Sequence, residues 1–288
     1  MKQISVISGK GGAGKTTIAA SLLSFHNRYV MVDCDVDASN LFLLLEPRTY
    51  ERNEFFGLDV AKLDPQRCMK CGRCREVCRF KAVNEGLEID EGKCEGCAVC
   101  TLVCPVDAIE MAPRPSGESY VSETRFGPLV HAYLFPGAEA SGKLVSDIRM
   151  RSIELARKEN RDVILIDGPP GSGCEVIASI TGVDLVLLVV EPTLSGVHDA
   201  KRALELSGHF KVEVVACINK FDINPDLARE IEAYLEENGV DILGRLPYDD
   251  DITACMVNGR TLTESGPEEL VKVIRGVWTE ISRRLNLN

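Results

Sequence analysis

The sequence lacks a basic excess. Its 288 residues carry 33 Lys and Arg against 44 Asp and Glu, a formal net charge of -11. A protein held to nucleic acid through phosphate contacts needs a basic face, so no nucleic-acid partner is expected. It also lacks any apolar run near the ~20 residues that span a bilayer. Met1-Lys2-Gln3-Ile4 runs straight into a strand-like segment, from which we expect no signal peptide and a cytoplasmic protein. The four histidines form no cluster, and His198 reads as a surface or packing residue. Disulfides are not expected, because cytosolic thiols are kept reduced.

Cysteine is nevertheless abundant. There are twelve, and eight fall between Cys68 and Cys104. Dense, regular cysteine in a reducing compartment points to metal. The rest of the composition, 45% hydrophobic and 27% charged, is that of an ordinary globular chain with room for one large domain or two modest ones.

The opening reads strand, glycine loop, helix. Lys2 to Ser8 is β-branched, Gly9 to Gly14 is the loop, and Thr16 to Phe25 carries Ile18, Leu22 and Phe25 at helical spacing. A short apolar run, Tyr29 to Val32, ends in Asp33, Asp35 and Asp37. The rhythm returns after residue 140. Strand-like runs cover Val163–Ile166, Leu185–Val190, Val212–Ile218 and Ile242–Leu246. Helix-like stretches lie near Leu144–Lys158, Ser195–Leu206, Pro225–Glu237 and Glu268–Leu285. Continuous apolar strands alternating with helices predict an α/β fold, a doubly wound, mostly parallel sheet with helices on both faces. The last helix aligns Leu270, Ile274, Val277, Trp278, Ile281 and Leu285 along one stripe beside a mixed polar face. That pattern predicts core packing, and no membrane anchor is expected.

Residues 58–112 break the rhythm and read as a small insert, dividing a discontinuous main domain of 1–57 and 113–288. Pro113-Arg114-Pro115-Ser116-Gly117 reads as a stiff linker, and Tyr120–Arg125 with Leu129–Phe135 as a hairpin. The insert repeats itself at an offset of 26: Cys68 with Cys94, Cys71 with Cys97, Cys74 with Cys100, Cys78 with Cys104. Duplication predicts a pseudo-twofold module with two equivalent sites.

Gly9-Lys10-Gly11-Gly12-Ala13-Gly14-Lys15-Thr16 fits G-x-x-x-x-G-K-[ST] between a strand and a helix. Backbone N–H groups of Gly9, Gly11, Gly12, Ala13 and Gly14 can converge on phosphate, with Thr17 next in the helix. Lys15 neutralises the terminal phosphates, and the Thr16 hydroxyl can ligate Mg²⁺. Asp167 ends an apolar strand, where such proteins keep a second Mg²⁺-linked carboxylate. The rigid turn Gly168-Pro169-Pro170-Gly171 follows it. A carboxylate of the cluster Asp33, Asp35, Asp37 could orient the attacking water.

Lys10, a second lysine inside the loop, makes this stretch resemble the deviant Walker A ATPases of the MinD/Mrp type. The resemblance extends to Val32-Asp33-Cys34-Asp35, Asp167-Gly168-Pro169-Pro170-Gly171, Glu191-Pro192-Thr193-Leu194-Ser195-Gly196 and Ile218-Asn219-Lys220. It implies ATP as the nucleotide and a dimer closed over it, homo- or heteromeric. In that dimer Lys10 would reach the partner's phosphates, Asp35 would place the water and attend Mg²⁺, and Asn219 would touch the adenine.

The two cysteine runs, each x2-x2-x3, resemble bacterial two-cluster ferredoxins, in which the fourth cysteine of each run ligates the other cluster. The resemblance implies one [4Fe–4S] cluster on Cys68, Cys71, Cys74 and Cys104, and a second on Cys94, Cys97, Cys100 and Cys78. Structural zinc is the rival, disfavoured by the spacing and by Pro105. Arg79 stands where the second run has Pro105, and the first run is the more basic, which predicts unequal potentials. Cys34 and Cys217 read as buried small hydrophobes. Cys174, seven residues after Asp167, reads as a packing or reactive thiol, or as a ligand of a subunit-bridging cluster.

The expectation is an iron–sulfur ATPase, with ATP, Mg²⁺ and two [4Fe–4S] clusters as cofactors, passing electrons to a redox or iron–sulfur partner. The alternatives are an iron–sulfur carrier ATPase and a MinD-like positioning switch with a redox-sensing module.

Overall fold

The computed structural model describes residues 1–287. In chain order the strands are β1 (Lys2–Ser8), β2 (Tyr29–Asp33), β3 (Arg48–Leu63), β4 (Ile109–Thr124), β5 (Gly127–Leu134), β6 (Val163–Pro170), β7 (Leu185–Val190), β8 (Glu213–Asn219) and β9 (Asp241–Leu246). The helices are α1 (Lys15–Leu22), α2 (Leu41–Leu45), α3 (Arg73–Val77), α4 (Val99–Leu102), α5 (Ser141–Lys158), α6 (Cys174–Ile180), α7 (Leu194–Phe210), α8 (Pro225–Glu237), α9 (Asp250–Val257), α10 (Leu262–Ser265) and α11 (Glu268–Leu285). Two compact units emerge: one of residues 1–52, 119–133 and the chain from Ser141 onward, the other of 53–118 and 134–140.

The first unit is the α/β body. Its strands follow the order β5-β2-β6-β1-β7-β8-β9, and before β5 the same order begins with β3 and β4, most of whose residues belong to the second unit. β1 runs parallel to both β6 and β7, β2 to β5 and β6, and β8 to β7 and β9. The sequence dictates this burial. Every residue of β7 is buried, as is most of β1 and β6, and such runs are stable only with helices on both faces. From β1 the chain moves to β2 on one side and later fills β7 on the other. The crevice at the carboxyl end of β1 is therefore the switch point where open α/β sheets bind ligands.

The α11 stripe is buried as its spacing requires, with Ile274, Val277 and Ile281 fully so. The helix lies on β9 so closely that a Cβ at Gly244 would press into Val277. Trp278 makes edge contact with Tyr29 of β2, closing the core on that side.

In the second unit the duplicated sequence gives duplicated geometry. Left-handed residues recur at the repeat offset: Lys70 with Gly96, Gly72 with Ala98, Lys81 with Asp107. The backbone exchanges reciprocal bonds, Asp64 N–H to the Ala108 carbonyl and Asp90 N–H to the Ala82 carbonyl. Each donor and each acceptor is the other's counterpart 26 residues away, which is a local twofold. The short helices α3 and α4 pack together as its matched pair.

Two expectations are corrected. Pro113–Gly117 is no linker but the middle of β4; proline lacks an N–H, yet its fixed φ suits extended backbone. β3 was not visible at all, because most of its first ten residues are exposed and charge hides the alternation. The expected helix from Thr16 to Phe25 is α1 followed by one 3₁₀ turn over Leu23–Phe25.

Ile274→Ala leaves a cavity between α11 and the sheet. Urea denaturation should show a loss of about 2–5 kcal/mol, the usual cost of such a truncation.

Candidate functional site

The first site forms where β1, β2 and β6 end. β1 delivers the glycine loop, and α1 begins at Lys15 immediately behind it. Gly12 and Gly14 hold positive φ, and a Cβ at Gly14 would collide with the Asn219 amide. A Cβ at Gly11 or Gly12 would meet nothing, so this face of the loop is open. Beside it lies a cavity of about 770 Å³, lined by Gly12, Lys15, Thr16, Thr17, Asp35, Asp37, Asn40, Pro169 and Glu175 among others.

Strand register sets the electrostatics. Asp33 pairs with Asp167 across β2 and β6, putting two carboxylates at adjacent strand ends. Both are buried. Asp33 accepts from the Asp35 N–H at 3.1 Å, the Ser39 hydroxyl at 2.6 Å and the Leu41 N–H at 3.2 Å. It therefore anchors the loop that leads into α2. Both oxygens of Asp167 are buried with no hydrogen-bond partner. Lys15 is the one ammonium among them, 3.0 Å from Asp35. Burial raises the Asp33 carboxyl to about 7, helped by Asp167. Burial raises Asp167 as well, against the pull of Lys15 and Thr16. Lys15 is held above its ordinary value despite burial, because Asp167, Asp35 and Asp33 surround it.

The other expected residues take different places. Lys10 turns away from the loop, 2.9 Å from the Thr193 hydroxyl and 3.3 Å from Glu191. Glu191 also holds Lys220 at 3.0 Å, and Lys220 donates to the Gly12 carbonyl. Asn219 is buried under the loop and donates to the Ala13 carbonyl at 2.9 Å; it does not line the cavity. Cys174 is exposed at the start of α6. Cys34 and Cys217 are fully buried. The sequence marked Glu191, Thr193 and Lys220 only as parts of family-like motifs, and Asp33 only as one of three carboxylates, without the contacts they make. Their signal was position, a charged or hydroxyl residue at the carboxyl end of a central strand.

A model of the CobQ/CobB/MinD/ParA nucleotide-binding domain matches residues 4–262. The chain belongs to that family. It is 38% identical to an uncharacterized protein of Methanocaldococcus jannaschii over 225 residues, 77% of this chain and 79% of that one. It is 23% identical to the septum site-determining protein MinD of Bacillus subtilis over 269 residues, 90% and 81% of the two chains. The MinD of Pyrococcus horikoshii, solved with Mg-ADP, superposes with a TM-score of 0.58 at 17% identity, covering 97% of this chain and 95% of that one. At that identity the likeness is one of fold. The mostly parallel sheet is thus that of the MinD/ParA P-loop ATPases.

The second unit carries all eight cysteines of the two runs. Two cavities lie within it. One, of about 10 Å³, is lined by Cys68, Cys71, Cys74 and Cys104. The other, of about 30 Å³, is lined by Cys78, Cys94, Cys97 and Cys100. Each thus gathers three cysteines of one run and the last of the other. Backbone N–H groups face the sulfurs: Ala82 to Cys78 at 3.3 Å, its counterpart Ala108 to Cys104 at 3.2 Å, Lys70 to Cys68 at 3.4 Å and Ala61 to Cys94 at 3.5 Å. Burial and the neighbouring thiols push Cys74 and Cys100 up. Among the described residues no three His, Cys, Asp or Glu side chains converge closely enough to share a single metal ion.

The carboxyl of Asp33 generates a pH dependence. Its folded value of about 7 lies above the ordinary 3.8, so the folded form keeps the proton that the unfolded chain gives up. Stability of the ligand-free protein is therefore lost as pH rises through about 7. Urea midpoints should fall between about pH 5 and pH 8, and Asp33→Asn should flatten that slope.

Proposed function

We propose that the protein is an iron–sulfur ATPase that couples Mg·ATP binding and hydrolysis to electron transfer, through two [4Fe–4S] clusters, to a protein partner. The observation that carries this reading is the sorting of eight cysteines into two cavities, each with a three-plus-one set. Residues 58–112 are then the two-cluster, ferredoxin-type insert of an ATPase domain formed by 1–57 and 113–288. Four thiolates sharing one tetrahedral ion at about 2.3 Å would crowd within roughly 4 Å of one another. Cluster corners hold their thiolates farther apart than that. Such clusters supply one-electron chemistry at low potential. The N–H groups facing Cys78 and Cys104 would stabilise added negative charge there.

At the nucleotide site, the unpartnered Asp167 oxygens beside Thr16 and Lys15 fit a divalent cation. Thr16, Asp35 and Asp167 would hold Mg²⁺, and the Gly9–Thr16 loop and Thr17 would bind ATP, with Asn219 reaching the adenine only if it leaves the Ala13 carbonyl. A relative of the same fold was solved with Mg-ADP. Binding would move Lys15 from Asp35 to the terminal phosphates, which frees Asp35 to orient the attacking water. Lys10 would leave Glu191 and Thr193 to reach the phosphates of a second subunit, completing each site only in the dimer. Coupling follows from linkage: a nucleotide that favours one dimer state must favour the redox state which that dimer prefers.

The test is an anaerobic, EPR-monitored redox titration with and without Mg·ATP. Two [4Fe–4S] signals whose midpoints move with nucleotide are expected, and Lys15→Ala should abolish the movement and lower ATP turnover by about 100-fold or more. Clusters indifferent to nucleotide would overturn gated transfer. Eight thiols loaded with zinc would overturn the reading altogether.

The crossed ligand sets predict a specific phenotype. Cys104→Ser should damage the cluster of Cys68, Cys71 and Cys74 and spare the one of its own run, and Cys78→Ser the reverse. Iron content and EPR of the two variants distinguish crossed from uncrossed ligation.

A further inference from the structure

The local twofold supplies an internal control for the surface of the second unit. Residues 67–81 and 93–107 share one backbone course, with left-handed positions in register. Their surfaces do not match. The first carries Arg67, Lys70, Arg73, Arg75, Arg79 and Lys81, all exposed, against the single anion Glu76. The counterparts in the second are Lys93, Gly96, Val99, Thr101, Pro105 and Asp107. The fold therefore does not require these cations, since the other repeat does without five of them.

Two are kept against local preference. Lys70 has φ 57 and Lys81 φ 54, in the left-handed region that strains a side-chain-bearing residue. At the first position the second repeat uses Gly96, and at the second Asp107, a residue more tolerant of that conformation. Internal partners account for little of the charge. Arg75 pairs with Glu85 at 2.9 Å, and Arg67 donates to the Val106 carbonyl. Among the described residues no ion pair engages Lys70, Arg73, Arg79 or Lys81. Arg73 also lines the cavity of Cys68, Cys71, Cys74 and Cys104. A strongly basic segment thus borders one cysteine quartet, in a chain of net charge -11.

We infer that this basic segment is the docking face for an acidic one-electron carrier protein, and that the adjoining quartet is the port through which electrons cross. The inference rests on the two-cluster reading above. In the step one electron leaves the reduced carrier and is taken up at the quartet; no bond or proton moves. Opposite charges steer such an encounter and fix its register, and the rate falls with salt. The mirror port, bordered by Val99 and Leu102 with little charge, would not attract the same partner.

The full chain, purified without oxygen and assayed for iron, is tested for binding to an immobilised acidic [2Fe–2S] ferredoxin, with cationic cytochrome c as the opposite-sign probe. Association with the acidic probe should slow by about 10-fold or more between low and physiological salt. Combined Lys70→Glu, Arg79→Glu and Lys81→Glu should weaken binding by about 10-fold or more at low salt while iron content and EPR stay unchanged. Lys93→Glu, a single charge reversal in the other repeat, should alter it by less than about 2-fold, and by less than Lys70→Glu alone, the single reversal in the first repeat. If iron is present and the acidic carrier fails to bind, or binds the triple variant as well as the wild type, the docking face is overturned and the two-cluster reading stands. If the wild-type chain holds no iron, both fall together.

Discussion

An excess of buried negative charge at the ends of β2 and β6 governs the nucleotide end of the molecule. The parallel register fixes Asp33 against Asp167, and Asp35 follows two residues on. One ammonium faces all three. Two unit charges about 4 Å apart are worth roughly 4 kcal/mol at an effective dielectric of 20. Lys15 cannot keep three carboxylates ionised at that rate when two are fully out of water. Burial therefore favours a proton on Asp33, or a cation recruited to the site. A divalent ion brought in with a polyphosphate answers both needs. On the proposed reading it would neutralise the carboxylates and present anionic oxygens to the amide-lined start of α1.

The same constraint reaches beyond the cavity. Asp33 binds the Ser39 hydroxyl and the Leu41 N–H, so the charge state at the strand end is tied to the loop that carries Asp35 and Asp37. On the other side, Glu191 gathers Lys10 and Lys220, and Lys220 grips the carbonyl of Gly12. The loop is thus held by carbonyls turned down onto Asn219 and Lys220, which leaves its opposite face open.

Much of this was legible in the sequence, and unevenly so. Strands β1, β6, β7 and β8 were readable because burial on both faces writes an unbroken apolar run, and α11 because one buried stripe writes a period of 3.6. The loop motif and the cysteine runs were readable because their chemistry demands fixed spacing. Three things were hidden. β3 is mostly solvent-exposed, so no burial pattern marks it. The prolines of β4 signal a break because they lack an N–H, yet the strand runs through them. The adjacency of Asp33 and Asp167 depends on β6 sitting between β1 and β2, a matter of strand order that no local pattern encodes.

The two units also differ in what holds them together. The α/β body has an extensive apolar core, from Ile4 through Ile281. In the cysteine-bearing unit one small apolar cluster joins Ala61, Cys74, Val83 and Ile109, with Cys78, Cys94, Cys100 and Cys104 among the partly buried side chains against it, and Phe55, Val60, Ala82 and Ala108 are buried as well. One of the eight cysteines is thus a core residue itself and four more pack against that core. A core of that size falls short of what a domain needs without a staple. Burial and crowding favour the neutral thiol at Cys74 and Cys100, so a ligand that demands thiolates must release protons as it binds. Whatever fills these cavities stabilises the folded unit by mass action. On the two-cluster reading, loading and folding of this unit form one equilibrium, while the nucleotide fold stands on its own core. Loss of the clusters would then melt the electron path without unfolding the ATPase.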